Sequence, residues 1–346
     1  MPSQESFPPI QKRLAESLRR RFEGESCNIV IKVLAGDASA RRYYRCSAQD
    51  GTSCIAVVYP ESFKTTNFSY QQVYDLFRQI AVPVPETIGI DGDLGIVLQE
   101  DMGDILLQNR LKDLEPENQR LLMKKAVDII IRIQDEGSAA LKPDCNAYAL
   151  AFDEKKLVWE LRFFHKHYLG GFSCSSVDNE EGLFEEYGRL ACGLADFPRV
   201  LCHRDFHVRN IMVKGSDLYV IDFQDARWGP PSYDLASLLK DSLELEETTV
   251  KHLVEYYLDK IRLRTPGGLS SEVFEAKSFD RQFHLMCIQR LLKALGTFGF
   301  QASVCENTSY LQYIKGTLRR LLQSLGYIAE FPRIKEMVEQ ELDRNH

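Results

Sequence analysis

Apolar positions recur with strand-like spacing in the first hundred residues and with helix-like spacing in the rest of the chain. A first helix, with one basic and one apolar face, is predicted over 12–22. Short apolar or β-branched runs bounded by polar turns predict strands at 28–34, 41–46, 53–59 and 94–100. A helical pattern over 67–80 precedes the last of these runs. A three-stranded meander, a helix and a further strand therefore form a small lobe.

Beyond residue 105 the spacing of apolar positions predicts mainly helices. They lie at 106–110, 118–136, 153–169, 182–196, 232–243, 247–263, 280–296, 308–325 and 332–343. Strands followed by a long series of helices are typical of the α+β class. We expect an α+β, two-lobed fold with a nucleotide-binding lobe over 1–101 and a helical lobe over 102–346.

One loop and one β-hairpin interrupt the helices, in the sequence HRDFHVRNIMVKGSDLYVIDFQD. The apolar segments NIMV and LYVID flank KGSD, which has the composition of a turn. If Val213 faces Leu218 across that turn, the register places Asn210 beside Ile221. Asn210 and Asp222 then lie side by side at the open end of the hairpin.

An amide and two carboxylates converge at this end of the hairpin, because Asp205 lies just upstream of Asn210 and Asp222. Oxygen ligands suit a hard cation such as Mg²⁺, and a carboxylate can accept the proton of a hydroxyl group. The spacing also matches the protein-kinase pattern H-R-D-x-x-x-x-N followed by D-F. It predicts ATP- and Mg²⁺-dependent phosphotransfer in the cleft of a protein-kinase-like fold.

Two segments of the first lobe are candidates for holding the nucleotide. The turn GDAS joins the first two strands, and its small residues allow backbone N–H groups to approach phosphate oxygens. The connector after the fourth strand could hydrogen-bond adenine through its backbone. It could also be a simple linker, because its side chains do not distinguish the two roles. The candidate nucleotide contacts are Gly36, Asp37, Ala38, Ser39, Arg42, Gln99, Glu100 and Met102.

The lysine that kinases place on the third strand, in V-A-I-K, is missing. Val58 stands at that position in IAVVYP. Arg41, Arg42 and Arg45, just after the glycine turn, could supply positive charge instead. The missing lysine is also what a non-catalytic relative would show, so a pseudokinase-like binding module remains an alternative.

The residues around the loop divide into structural and acceptor-side candidates. Gly229-Pro230-Pro231 interrupts regular structure, and a helix is predicted to begin at Ser232 or Tyr233 with Asp234 in its first turn. Asp234 can accept a hydrogen bond from the loop, so we interpret it as structural. His203 is interpreted as a buried residue that orients the loop. His207, Arg209 and Asp225 are the candidate contacts for the acceptor.

Composition and charge are typical of a globular enzyme without a polyanionic partner. Among 346 residues, 44% are apolar and 27% charged, and the net charge is −7, which gives no reason to expect nucleic acid or an anionic membrane. No apolar run is long enough to span a bilayer. Nine dispersed cysteines without a C-x-x-C pair predict reduced thiols and a cytoplasmic location. We expect a monomer whose partners are small molecules.

With these motifs the chain resembles the aminoglycoside phosphotransferase/choline kinase family, over residues 14–330. The hallmark H-x-D-x-H-x-x-N…I-D-F…D-L is matched by His203, Asp205, His207, Asn210, Ile221-Asp222-Phe223 and Asp234-Leu235. Within the family the chain is most similar to bacterial kinases that phosphorylate N-acetylmuramate and N-acetylglucosamine at C1. Three stretches carry this closer similarity, at 36–45, 221–241 and 288–300.

The resemblance implies Asp205 as the catalytic base, Asn210 and Asp222 as Mg²⁺ ligands, and a role in recycling cell-wall sugars. It also implies that the missing lysine is a trait of the subgroup. The chain departs from the subgroup at Ala40, where a phenylalanine is expected, and over residues 160–175, which match loosely. The latter region faces the acceptor, so the acceptor sugar stays open. An aminoglycoside, choline or another amino alcohol is the alternative acceptor. The acidic pocket that such a cation needs could come from Asp241, Glu244, Glu246 and Glu247.

Overall fold

The computed structural model describes residues 8–21, 29–34, 40–175, 179–264 and 275–344. Its first part holds α1 (Ile10–Arg21), β1 (Val30–Leu34), β2 (Arg42–Ser47), β3 (Ser53–Val58), α2 (Ser69–Gln79), β4 (Thr87–Asp91) and β5 (Ile96–Glu100). The strands form one five-stranded sheet in the order β1-β2-β3-β5-β4, and every neighbouring pair is antiparallel. The predicted meander and helix are confirmed.

The sequence patterns missed the edge strand β4. Its register with β5 shifts between Thr87 and Gly89, so Ile88 has no partner in the pairing. Most of its residues are only half-buried, so the alternation of apolar and polar positions that marks a strand is weak here. This strand is therefore defined by its pairing with β5 and not by a pattern in its own sequence.

The two faces of the sheet are buried by different partners. Leu14 and Leu18 of α1 pack with Ala56 and Val58 in a small cluster on one face. On the other face, α2 packs between the sheet and the helical part of the chain; Phe77 lies 5.6 Å from Phe223, ring centre to ring centre. Alternation of side chains along β3 places Val58 on the α1 side.

The second part of the chain is mostly helical, which confirms the predicted α+β class. Its helices are α3 (Leu107–Lys112), α4 (Pro116–Arg132), α5 (Ser138–Ala140), α6 (Asn146–Ala149), α7 (Glu154–Phe164), α8 (Glu180–Ala195), α9 (Ser232–Ala236), α10 (Glu247–Arg264), α11 (Ala276–Ser303), α12 (Ile314–Gly326) and α13 (Pro332–Arg344). Turns of π-helix extend three of them, at 133–137, 165–173 and 237–241. No helix in the described ranges is both long and apolar enough to cross a membrane.

Four short strands frame the loop on which the oxygen-bearing residues lie. β6 (Val200–Cys202) precedes the loop and pairs with β9 (Arg227–Gly229), while β7 (Ile211–Lys214) and β8 (Asp217–Val220) form the predicted hairpin. The sequence patterns missed β6 and β9, since three residues are too few to show a period. Their pairing fixes the two ends of the segment.

Helix α11 lies at the centre of the helical part and touches α7 at close range. A Cβ atom on Gly296 would lie 2.7 Å from the Cα atom of Phe164, and one on Gly299 would lie 2.5 Å from the carbonyl oxygen of His167. Only glycine allows backbones to approach so closely. These glycines belong to the stretch 288–300, so their spacing has a packing explanation.

The connector between the two parts is held by charge pairs. Arg45 of β2 contacts Asp101 and Asp104, with nitrogen–oxygen distances of 2.7 Å in each case. One of the three arginines considered as phosphate ligands therefore stabilises the connector. The proposed boundary between residues 101 and 102 lies just after β5 and stays a prediction.

Candidate active site

The hairpin has the register that the sequence predicted. Val213 pairs with Leu218, and the amide of Ile221 donates to the carbonyl of Asn210 at 3.0 Å. The Asn210 side chain is fixed from the other side, because its Nδ2 donates to the Asp205 carbonyl at 3.0 Å. This bond fixes the Asn210 side chain against the loop and engages its amide nitrogen, not its amide oxygen.

Asp234 and His203 hold the loop as structural residues. The backbone N–H groups of His203 and Arg204 donate to the Asp234 carboxylate, at 2.6 and 3.1 Å. The His203 ring is fully buried, and its Nε2 lies 3.1 Å from the carbonyl oxygen of Ile221. The loop is thus tied both to α9 and to the hairpin end.

Two residues of the site have strained backbones. Arg204 and Asp222 have φ angles of 89° and 65°, in the left-handed region that side chains rarely adopt. Such a conformation costs on the order of 1–3 kcal/mol and persists where surrounding contacts impose it, often at functional sites. One strained residue, Arg204, is thus the neighbour of Asp205, and the other, Asp222, is a proposed metal ligand.

Three cations surround the Asp205 carboxylate. Lys293 Nζ lies 3.1 Å from it, Arg204 Nε 3.6 Å and Arg290 Nη2 3.8 Å. Burial alone would raise the pKa of Asp205, but Lys293, Arg204 and Arg290 outweigh it and hold that pKa well below its usual value. Asp205 is therefore ionised at neutral pH, as a proton acceptor must be.

Further charged groups extend this cluster towards α7. Arg204 Nη1 lies 3.0 Å from Asp225, and Arg227 Nη2 lies 3.8 Å from the same carboxylate. Burial lowers the pKa of Lys156 on α7; the Glu160 carboxylate, 3.7 Å away, raises it, and Arg204, Arg227 and Lys293 lower it further. Basic side chains therefore extend from Asp205 to α7, with the carboxylates of Asp225 and Glu160 among them.

Sequence reasoning did not identify most of these cations. Lys293 and Arg290 lie on one face of α11, three residues apart, within a stretch that was noted only for its similarity to a subgroup. A helix that crosses behind the loop cannot be recognised from local patterns. The signal available was the pair of basic residues Arg290 and Lys293 in the mainly apolar stretch 288–300.

On the nucleotide side, Arg41 contacts the proposed metal carboxylate. Its Nη2 lies 2.7 Å from Asp222 Oδ1, and its side chain is 15% exposed. Because neighbouring strand residues face opposite sides, Arg42 points away from Arg41, and it is exposed to solvent. The structure thus brings Arg41, and not Arg42, to the hairpin end, close to Tyr59.

The remaining candidates occupy the connector and the loop. Gln99 donates to the Tyr70 hydroxyl at 2.6 Å, and Glu100 pairs with Lys214 at 2.8 Å. Met102 is buried. The loop residue His207 is also buried, and this burial lowers its pKa. The turn residues Gly36, Asp37, Ala38 and Ser39 lie outside the described part of the chain.

A family model for the phosphotransferase enzyme family matches residues 30–268, which span the sheet, the loop and the hairpin. The chain belongs to this family. Its enzyme class, in agreement with kinase relatives, is ATP-dependent phosphotransferase. The family resemblance recognised in the sequence is confirmed.

Two curated relatives are similar over most of their length. An N-acetylmuramate/N-acetylglucosamine kinase of Neisseria meningitidis serogroup B is 32% identical over 301 residues, which cover 84% of this chain and 86% of the relative. An enzyme of the same name from Pseudomonas aeruginosa is 31% identical over 313 residues, covering 88% and 86%. The similarity thus extends through both parts of the fold.

Solved structures share the fold at low sequence identity. A choline kinase from Streptococcus pneumoniae is 15% identical, with a TM-score of 0.61, and the match covers 92% of this chain and 99% of that one. An ADP-bound aminoglycoside phosphotransferase is 14% identical, with a TM-score of 0.55, over 89% and 96%. These similarities show the kinase-like fold alone.

Proposed function

We propose that this enzyme transfers the γ-phosphoryl group of ATP to the anomeric C1 hydroxyl of an amino sugar, such as N-acetylmuramate or N-acetylglucosamine. The curated relatives are kinases of these two sugars. The observation that carries the proposal is the cluster of Lys293, Arg204 and Arg290 around Asp205. It suits an acceptor that is neutral or negatively charged.

In this proposal Asp205 is the catalytic base. Its carboxylate is ionised and about a quarter exposed, so a hydroxyl group can reach it from the cleft. It accepts the hydroxyl proton while the oxygen attacks the γ-phosphorus in line with the leaving ADP. The same carboxylate fixes the direction of approach, since the loop is held rigidly by Asp234.

Asn210 and Asp222 fit a magnesium ion by their chemistry. An amide oxygen and a carboxylate are hard oxygen donors, and Mg²⁺ usually binds through one or two protein groups together with phosphates and water. The bond from Asn210 Nδ2 to the Asp205 carbonyl engages the amide nitrogen and leaves the amide oxygen as the donor atom for the metal. Mg²⁺, when bound there, would neutralise charge on the phosphates.

Arg41 is proposed as the phosphate-side cation in a protein without the third-strand lysine. Val58 packs against α1, whereas the Arg41 guanidinium reaches Asp222 in the cleft. Arginine can bind phosphate oxygens through two parallel hydrogen bonds. Its present partner, the Asp222 carboxylate, is also one of the two groups that would hold Mg²⁺.

The rest of the nucleotide site is proposed from the sequence. The turn Gly36, Asp37, Ala38 and Ser39 would cover the phosphates, and the connector at Gln99, Glu100 and Met102 would bind adenine. The side chains of Gln99 and Glu100 are engaged with Tyr70 and Lys214, so backbone groups are what the connector offers to adenine.

His207, Arg209 and Asp225 remain proposed acceptor contacts. Asp225 is the most accessible carboxylate beside the loop, with 46% of its side chain exposed. Its contact with Arg204 places it next to Asp205, within reach of a sugar hydroxyl group.

A cationic acceptor such as an aminoglycoside or choline is disfavoured by the charges. The acidic run that would have formed its pocket is largely neutralised: Asp241 pairs with Arg290, Glu244 with Arg320 and Glu247 with Lys240. A pseudokinase-like module is disfavoured too, because Asp205, Asn210 and Asp222 are all held in place.

We further propose a monomeric enzyme in the cytoplasm that recycles cell-wall sugars. The eight cysteines in the described ranges carry free thiols, including Cys46 and Cys54, which face each other across β2 and β3. Cysteines that lie directly opposite each other without a disulfide suit a reducing compartment.

A panel of acceptors tests this function. Purified enzyme is given Mg-ATP and N-acetylmuramate, N-acetylglucosamine, glucose, choline or kanamycin, and ADP release is followed. We expect turnover with the two amino sugars, and none when C1 is blocked as the methyl glycoside. Turnover only with choline or kanamycin would overturn the proposal, and so would phosphorylation of the methyl glycoside at the same rate.

A further inference from the structure

A cavity of about 190 Å³ adjoins the catalytic loop outside the contacts described so far. Its lining includes Arg209 of the loop, Phe298 of α11, and Tyr313 and Arg320 near the start of α12. Asp241, which Arg290 holds at 2.5 Å, forms part of the wall. Because Arg290 also approaches Asp205, the cavity and the proposed base share this arginine.

Arg209 is an unusual cation in this setting. Its Nε is buried and has no hydrogen-bond partner, and among the described residues no carboxylate lies within ion-pair distance of its guanidinium. The guanidinium lies 5.7 Å from the centre of the Tyr313 ring. A half-buried guanidinium without an anion is costly to desolvate, so a partner is expected from outside the chain.

The other charged groups that line the cavity do not neutralise the positive charge of Arg209. Arg320 donates to the Asp241 carbonyl at 3.1 Å, and its own Nε is also buried without a partner. Glu244 is 73% exposed and lies 3.7 Å from Arg320, while the Asp241 carboxylate is neutralised by Arg290. Two guanidinium groups thus face one exposed carboxylate, and the cavity is positive.

We propose that this cavity binds an anionic substituent of the acceptor, with Arg209 as the group that recognises its carboxylate. This inference rests on the proposed sugar-kinase function and deepens it. Arg209 follows Asp205 by four residues, so the two backbones lie no more than about 14 Å apart. A sugar whose C1 hydroxyl reaches Asp205 can place a carboxylate-bearing arm in the cavity. Tyr313 and Phe298 cover the apolar part of that arm.

The test compares an acidic and a neutral sugar on the same variant. N-Acetylmuramate carries a carboxylate and N-acetylglucosamine does not. In Arg209→Gln we expect kcat/KM for N-acetylmuramate to fall at least about 10-fold more than kcat/KM for N-acetylglucosamine, since hydrogen bonds to charged groups contribute at this level. Arg209→Lys keeps the charge and should recover part of this selectivity. The extra loss should lie mainly in KM.

Arg319→Gln is the matched control, because Arg319 is exposed on the same helix as Arg320 and does not line this cavity. This control should keep the wild-type ratio of kcat/KM for the two sugars. Titration calorimetry with each sugar, in the presence of a non-hydrolysable ATP analogue, measures binding without turnover. If Arg209→Gln lowers kcat/KM for both sugars equally, or for neither, the inference is wrong although the kinase function stands. If the wild type phosphorylates neither sugar, the proposed function itself fails.

Discussion

Lys293 on α11 places its ammonium group 3.1 Å from Asp205 on the loop after β6, across 88 positions of sequence. The contact joins the helix at the centre of the helical part to the residue proposed to accept the proton. Arg290, one turn earlier on the same helix, donates to the Arg204 carbonyl at 2.8 Å. One helix therefore both shapes the loop and supplies charge to it.

Lys293→Met should lower kcat by about 10²-fold, because the ammonium is placed where negative charge develops during transfer. Nucleotide affinity should change little. Lys277→Met, at an exposed position near the start of the same helix, is the control and should behave as the wild type. Steady-state kinetics with saturating Mg-ATP measures kcat, and calorimetry with ADP measures affinity. A wild-type kcat in Lys293→Met would show that Lys293 does not contribute to catalysis.

Asp205→Asn should lower kcat by about 10²–10⁴-fold, since loss of a positioned base typically has this effect. Binding of Mg-ATP should remain nearly intact, because the proposed metal ligands are Asn210 and Asp222. The exposed Asp217→Asn in β8 controls for a general loss of negative charge. Turnover close to wild type in Asp205→Asn would sink the proposed role of this residue.

Arg41→Gln should weaken ADP binding by about tenfold or more, because a charged hydrogen bond to phosphate is lost. Arg42→Gln changes the neighbouring residue on the opposite face of β2 and should leave the affinity nearly unchanged. Calorimetry with and without Mg²⁺ measures both variants. An equal effect of the two substitutions would argue against a specific phosphate contact by Arg41. A larger effect of Arg42→Gln would assign that contact to Arg42.

Gly296→Ala should reduce the free energy of unfolding by about 1–3 kcal/mol, because the added Cβ would meet the backbone of Phe164 at 2.7 Å. Gly188→Ala in α8 makes the same change where nothing lies within 4 Å of the new atom. It should stabilise the protein by about 0.5–1 kcal/mol. Urea denaturation of both variants measures the difference. Equal stability of the two would show that α7 and α11 are not closely packed.

The contribution of His203 to stability should fall as the pH falls from neutral towards 5. Burial lowers the pKa of His203 from 6.5 to about 4, although Asp222 and Asp205 act against it. Between these values the unfolded chain binds a proton that the folded protein excludes, so acid favours unfolding. The contribution is about 2 kcal/mol between pH 7 and pH 5.

His203→Gln should reduce that pH dependence while keeping a nitrogen for the bond to the Ile221 carbonyl. The free energy of unfolding is measured by urea denaturation at both pH values. The comparison depends on the slope with pH and not on the absolute stability, which the substitution itself will change. An unchanged slope would show that His203 does not titrate in this way.

The chemistry of the loop and hairpin could be predicted because the interacting residues are close in sequence. The turn between Val213 and Leu218 sets the pairing of the hairpin, and the pairing in turn places Asn210 beside Ile221. Most helices were predicted for a related reason, since burying one face of a helix imposes a period on its own residues. The short strands β6 and β9 had too few residues to show any period.

The sequence by itself determined the α+β class, the kinase-like motif and the register of the hairpin, which places Asn210 beside Ile221. The tertiary structure decided which distant cations serve that hairpin. Arg41 and Lys293 lie 181 and 88 positions from their carboxylate partners. The pairing of two distant charged residues leaves no periodic pattern in the sequence. Which residues pair is therefore decided only when helices and strands pack together.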